Sequence, residues 1–208
     1  MEHSIKSLFS NIQNELIGAI EKAQKEILVA VAWFTNRDIF DCILSALKRG
    51  IKCQLILHDD LINRSIYNVD FTLFLEQKGE LKFYSSEQGI MHNKFCVIDG
   101  NVLFMGSYNW TYAAEYRNNE SIIVTNDTIV CNDFRSYFSK LWQQYPLTTE
   151  YNPVALRNIF DASYQLIQED FKKECEIMVD KQILESAIVD KIKLINGLTS
   201  SLRNVNQP

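Results

Sequence analysis

The residues best suited to chemistry lie between Met91 and Asn109, in the stretch MHNKFCVIDGNVLFMGSYN. It reads H-x-K-x(4)-D-x(6)-G-S-x-N, filled by His92, Lys94, Asp99, Gly106, Ser107 and Asn109. His92 and Lys94 are two residues apart in a run of strand formers, Phe95, Val97 and Ile98, so their side chains leave the same face. Asp99-Gly100-Asn101 breaks that run with turn chemistry, and Val102 to Met105 supplies a second apolar strand. The resulting hairpin returns Ser107 and Asn109 toward the end from which His92 and Lys94 project. A nucleophile, a fixed cation and an amide donor then converge on one point, a combination suited to a phosphate diester.

This stretch resembles the HKD motif of the phospholipase D superfamily, and most closely that of its small, single-motif endonucleases. Six specified positions at fixed spacing in a strand–turn–strand context are a far more specific pattern than a short glycine motif. In chemical terms, phosphodiester cleavage needs a nucleophile, neutralisation of the non-bridging oxygens and a proton for the leaving oxygen. His92 can attack phosphorus to form a phosphohistidine that water hydrolyses. Lys94 and Asn109 would hold the phosphoryl oxygens, with Ser107 adding a hydrogen bond, so that fixed donors replace metal ions and no cofactor is required. A histidine nucleophile needs its second ring nitrogen oriented, usually by a carboxylate. Glu120 matches the superfamily position that does this, whereas Asp99, beyond the turn, is expected to be structural, as is Gly106.

The resemblance also implies a homodimer. The chain carries one motif and three histidines, His3, His58 and His92, so His92 of a second copy is implied as the acid for the leaving group, across a two-fold axis through the active-site face. Tyr108, Trp110, Tyr112 and Tyr116 crowd the segment after Ser107; they either stack the bases of a single strand or pack the loop and the dimer interface. Arg117 is the nearest cation for a further substrate phosphate. His58, followed by Asp59 and Asp60, falls where sites gather in open α/β sheets and is a candidate for the cleft rim. The His-Asp-Asp spacing matches no metal-ligand template, and no metal is expected.

The elements that must position these residues are legible as alternating strands and helices. Ile5, Phe9, Ile12, Leu16, Ile17 and Ile20 predict an amphipathic first helix. Ile27 to Phe34, ILVAVAWF, is a run of the kind buried on both faces of a sheet. Thr35-Asn36 offers an N-cap to a helix carrying Ile39, Phe40, Ile43, Leu44 and Leu47, which Lys48-Arg49-Gly50 ends. A strand over Ile51 to Leu57, a helix over Asn68 to Lys78 and a short strand over Leu81 to Tyr84 precede the hairpin. Tyr108 to Asn119 reads as a loop, Glu120 to Thr125 as a strand, and Asp127 opens a helix reaching Trp142. The expected fold is α/β, a mixed β-sheet with helices on both faces, as in phospholipase D-like proteins, with a C-terminal helical extension. The catalytic domain spans 1–146 and the extension 153–208, joined by a linker from Pro146 to Pro153.

Composition narrows the function. The chain has 208 residues, 47% of them hydrophobic, and a formal charge of -5. That suffices for one good core, and it argues against a generic nucleic-acid coat while leaving room for a locally positive cleft. Five scattered cysteines, Cys42, Cys53, Cys96, Cys131 and Cys175, form no C-x-x-C pair; reduced core thiols and a cytoplasmic location are expected. No signal-peptide pattern or membrane span is expected. The sequence therefore points to a metal-independent endonuclease cleaving DNA or RNA. A phospholipid or cardiolipin hydrolase of the same chemistry, or a non-catalytic scaffold, are the competing readings. The C-terminal helices could extend the dimer or dock a protein partner that delivers an acidic nuclease to its substrate, as in a defence or restriction complex.

Overall fold

The computed structural model describes residues 4–66, 68–85 and 89–153; the expected helical extension lies outside them. Its centre is a seven-stranded mixed sheet in the order β1-β7-β6-β5-β2-β3-β4. The strands are β1 (Ile5–Leu8), β2 (Glu26–Val31), β3 (Lys52–His58), β4 (Glu80–Tyr84), β5 (Lys94–Ile98), β6 (Val102–Gly106) and β7 (Ile122–Thr125). The helices are α1 (Ile12–Lys22), α2 (Arg37–Lys48), α3 (Phe71–Glu76), α4 (Tyr112–Tyr116) and α5 (Thr128–Gln144). β2, β3 and β4 run parallel through helical crossovers, whereas β2–β5, β5–β6, β6–β7 and β7–β1 are antiparallel. The expected α/β architecture with helices on both faces is the one observed.

The apolar run at the start of β2 sits mid-sheet and is buried from both sides. Ile27, Val29 and Val31 face the core shared with α1 and α2, and Leu28 and Ala30 face the core beneath α5. Strand alternation accounts for this split. Asn36 caps α2, its side chain accepting from the Ile39 N–H at 3.1 Å and donating to Gln13 at 2.6 Å. That buried amide pair locks α1 against α2. Cys42, Cys53, Cys96 and Cys131 are buried free thiols, and burial pushes Cys53 up to about 12, which leaves it protonated and unreactive.

Three expectations change. Ile5 belongs to an edge strand, not to the first helix. β1 pairs with β7, and the Ser4 carbonyl accepts from Thr125 Oγ1 at 2.9 Å; the ladder outweighs the local helical pattern, and α1 starts only after Asn11, which takes a left-handed φ of 57°. The segment after Ser107 is not all loop, because Thr111 caps the short helix α4 by accepting from the Ala114 N–H. Part of the expected linker is also fixed to the core. Thr148 N–H donates to the Leu81 carbonyl at 2.8 Å, and the buried Tyr151 stacks on Phe83 and donates its hydroxyl to the Asn63 carbonyl.

Candidate active site

His92 and Lys94 stand at the entry to β5, where Lys94 pairs with Val31 and the Asn93 carbonyl accepts from the Ala32 N–H at 2.9 Å. Those ladder contacts tie the backbone that carries both side chains to the central strand. His92 is exposed and Lys94 half-buried, and the Lys94 ammonium donates to the His92 carbonyl at 2.9 Å. Trp33, just beyond β2, presents its ring edge-on to His92 at 6.2 Å between centroids. The Lys94 ammonium lies 5.9 Å from the same ring, within cation–π range. The indole N–H donates to Asp60 at 2.7 Å, which fixes the ring.

The hairpin turn is anchored at its far end. Asp99 and Gly100 both take positive φ, 52° and 70°. The Asp99 carboxylate accepts three backbone N–H groups, from Gln24, Lys25 and Glu26 at 2.7–3.0 Å. It therefore ties the turn to the start of β2, at the opposite end of β5 from His92. Gly106 ends β6 against the neighbouring strand: a Cβ there would sit 2.8 Å from the Ile122 Cα and closer still to the Ser121 carbonyl. Only glycine lets the two backbones approach this closely.

Ser107 follows directly and donates its hydroxyl to Glu120. The Ser121 N–H donates to Ser107 Oγ at 3.0 Å, and Asn118 donates to the second Glu120 oxygen at 3.2 Å. The carboxylate is thus held by Ser107 and Asn118, and His92 is not among its hydrogen-bond partners, which corrects the expected contact. Its influence reaches Lys94 instead. Burial lowers the Lys94 pKa below the usual lysine value, and the Glu120 charge partly offsets this by raising it. Asn109 is placed beside Trp33 by the next residue, since the Trp110 N–H donates to the Trp33 carbonyl at 3.0 Å. Its side-chain oxygen is buried and has no partner among the described residues, so the amide retains an unused acceptor at the site.

Two predicted substrate contacts are corrected. Tyr108 and Trp110 are each only 3% exposed and cannot reach a base. Tyr108 donates to Glu115 at 2.8 Å, and burial together with that carboxylate pushes its hydroxyl pKa up; Trp110 packs edge-on against Phe34. Tyr112 and Tyr116 remain exposed, their rings 4.5 Å apart, with the exposed Arg117 guanidinium 5.9 Å from Tyr112. His58 is corrected as well. It continues the Ile56 side of β3 and pairs in register with Tyr84, and both neighbours belong to the core beneath α5. It therefore lies on the face opposite to Lys94, which shares the side of Cys96. Asp59 pairs with Arg64, and Asp60 holds Trp33 and the Ile62 and Asn63 N–H groups. The acidic cluster is structural, and no group of three or more His, Cys, Asp or Glu among the described residues is arranged to hold a metal.

The residue that sequence reasoning missed is Trp33. It reads as the tail of an apolar strand, and its one signal is an indole N–H at a strand end near two aspartates, which a buried strand residue would leave unpaired.

A family model described as cardiolipin synthase, PLD-like domain, matches residues 16–142, from within α1 to near the end of α5. The mitochondrial cardiolipin hydrolase of Xenopus laevis is 29% identical over 148 residues, 71% of this chain and 67% of that protein. That of Chlamydomonas reinhardtii is 31% identical, over 59% of this chain and 54% of that protein; the chain thus spans only part of these relatives. Among solved structures, the phospholipase D family member Nuc from Salmonella typhimurium superposes with a TM-score of 0.65 at 23% identity, covering 72% of this chain and 100% of that one. NucT from Helicobacter pylori gives 0.61 at 26% identity, covering 69% and 98%. Both matched chains are covered almost end to end. The chain belongs to the phospholipase D superfamily.

Proposed function

We propose that this chain is a metal-independent endonuclease that cleaves DNA or RNA through a phosphohistidine. The observation that carries this reading is the clustering, at one end of the sheet, of an exposed histidine, a half-buried lysine bonded to its carbonyl, and a carboxylate whose charge acts on that lysine. A ring nitrogen of His92 attacks phosphorus and the P–O bond to the leaving oxygen breaks. His92 of a second copy gives that oxygen a proton. Water then attacks phosphorus, the P–N bond breaks, and the water proton returns to the second histidine. The Lys94 ammonium and the donating Nδ2 of the Asn109 amide stabilise the phosphoryl oxygens throughout. The exposed, tilted Tyr112–Tyr116 pair with Arg117 beside it supports a nucleic-acid substrate, because exposed aromatics flanked by a cation suit unstacked bases and their phosphates.

A second reading, hydrolysis of a phospholipid, is favoured by the names of the cardiolipin hydrolase relatives. No helix among the described residues is long and apolar enough to cross a membrane. One experiment separates the readings: labelled single-stranded DNA, duplex DNA, RNA and cardiolipin vesicles, each in excess EDTA, with wild type and His92→Ala. The expected result is strand cleavage that survives chelation and disappears in the variant. Release of phosphatidate from the vesicles with no strand cleavage would replace the nuclease reading with the lipid one.

A further inference from the structure

On the α5 side of the sheet, against His92, lies a cleft of about 400 Å³. Its wall is apolar and aromatic. Phe95 of β5 meets Phe134 edge-on at 5.0 Å and lies 6.1 Å from Tyr137, and Met105 of β6 completes the lining. The Tyr137 hydroxyl accepts from the Asn93 amide at 3.4 Å, which ties the ring to the segment carrying His92 and Lys94. On the rim stands Asp133, one turn before Tyr137 on α5, exposed and with no hydrogen-bond or ion-pair partner among the described residues.

Each part of this lining selects against alternatives. Aromatic edges and a thioether favour a flat, polarisable group. A carboxylate repels a phosphate, so the second phosphate of a cardiolipin is disfavoured here, and an acyl chain has no N–H to offer it. A nucleobase satisfies both requirements, since its ring packs on the aromatic wall while an exocyclic amine donates to the carboxylate. Uracil and thymine instead present carbonyl oxygens on either side of their single N–H, which the carboxylate repels.

Building on the nuclease reading, we propose that this cleft is a nucleobase subsite, in which Asp133 and Tyr137 select an unstacked, amino-bearing base next to the scissile phosphate. The base must leave its stack to enter, so the substrate strand is single. Discrimination therefore resides in α5, across the cleft that His92 and Lys94 also line.

The test uses the full chain, mixed-sequence single-stranded RNA and DNA oligonucleotides, and bis(4-nitrophenyl) phosphate as a diester without a base. Wild type is expected to cut beside adenine, cytosine or guanine in preference to uracil or thymine. Asp133→Asn should flatten that preference by roughly tenfold. Tyr137→Ala should raise KM for the oligonucleotides roughly tenfold more than for the aryl diester. Both positions are exposed on a helix, so the fold tolerates either change. An unchanged cut-site distribution in Asp133→Asn, or equal penalties on both substrates in Tyr137→Ala, would overturn the subsite while leaving the nuclease intact. Wild type that hydrolyses the aryl diester and cardiolipin but cuts no strand would overturn the nuclease reading, and the subsite with it.

Discussion

Lys94 shows how single residues set the working range of this site. Its ammonium must be protonated to neutralise a phosphoryl oxygen, yet half-burial already pulls its pKa below the ordinary lysine value of 10.5. Activity is therefore expected to fall on an alkaline limb that begins below the usual lysine range. Glu120 works in the other direction, since a nearby negative charge favours the protonated amine. Removing that charge with Glu120→Gln should move the limb further down in pH. The profile of kcat/KM for bis(4-nitrophenyl) phosphate checks this: a limb at or above 10.5, or one that Glu120→Gln leaves in place, would contradict the assignment. At this scale much of the site is legible in the sequence. His92, Lys94, Ser107 and Glu120 meet because the hairpin period and turn are local signals. What the sequence does not disclose is who holds whom. Glu120 turns to its near neighbour Asn118 and to Ser107 instead of His92, and Trp33 enters the site through a contact between segments distant in sequence.

Elements are legible where local pattern and tertiary need agree. The β2 run, the Asn36 cap and the β5–β6 hairpin each carry their own instruction, and their neighbours only reinforce it. β1 and Tyr151 are not legible, because an edge strand exists only through its partner β7 and an irregular segment is fixed by the Asn63, Leu81, Phe71 and Phe83 groups it meets. Two glycines test how strictly the backbone frame is set. Gly106 is pressed against the Ser121–Ile122 backbone, so Gly106→Ala must spread β6 from β7 and displace Ser107, with an expected stability loss of about 1–3 kcal/mol. Gly18 lies inside α1, and a methyl group added there would meet nothing within 4 Å. Gly18→Ala is therefore expected to stabilise the protein by roughly 0.5–1 kcal/mol. Urea denaturation of the two variants measures both signs, and a Gly106→Ala protein as stable as wild type would show that the β6–β7 contact yields easily.

At the scale of the whole molecule, the described residues bring no second histidine to His92 that could protonate the leaving oxygen. His58 pairs with the Tyr84 position in the sheet and has no bond or ring contact with His92, and His3 lies outside the described residues. A second copy placed around a two-fold axis supplies one without any new element, since each His92 then faces its equivalent. The boundary for testing this is not Pro146. A chain cut there loses Tyr151, whose ring and hydroxyl close the core over Phe71, Phe83 and Asn63, so any minimal catalytic unit must run through Pro153. If the acid comes from the partner copy, specific activity must fall on dilution as dimers dissociate, because the monomer holds half of the proton-transfer machinery. Mixing wild type with excess His92→Ala should then suppress activity beyond simple dilution, as mixed dimers keep one histidine and lack the other. Sedimentation across the same concentration range locates the monomer–dimer transition. Activity that tracks the dimer fraction is the expected outcome, and a fully active, strictly monomeric species would require the acid to come from within one chain.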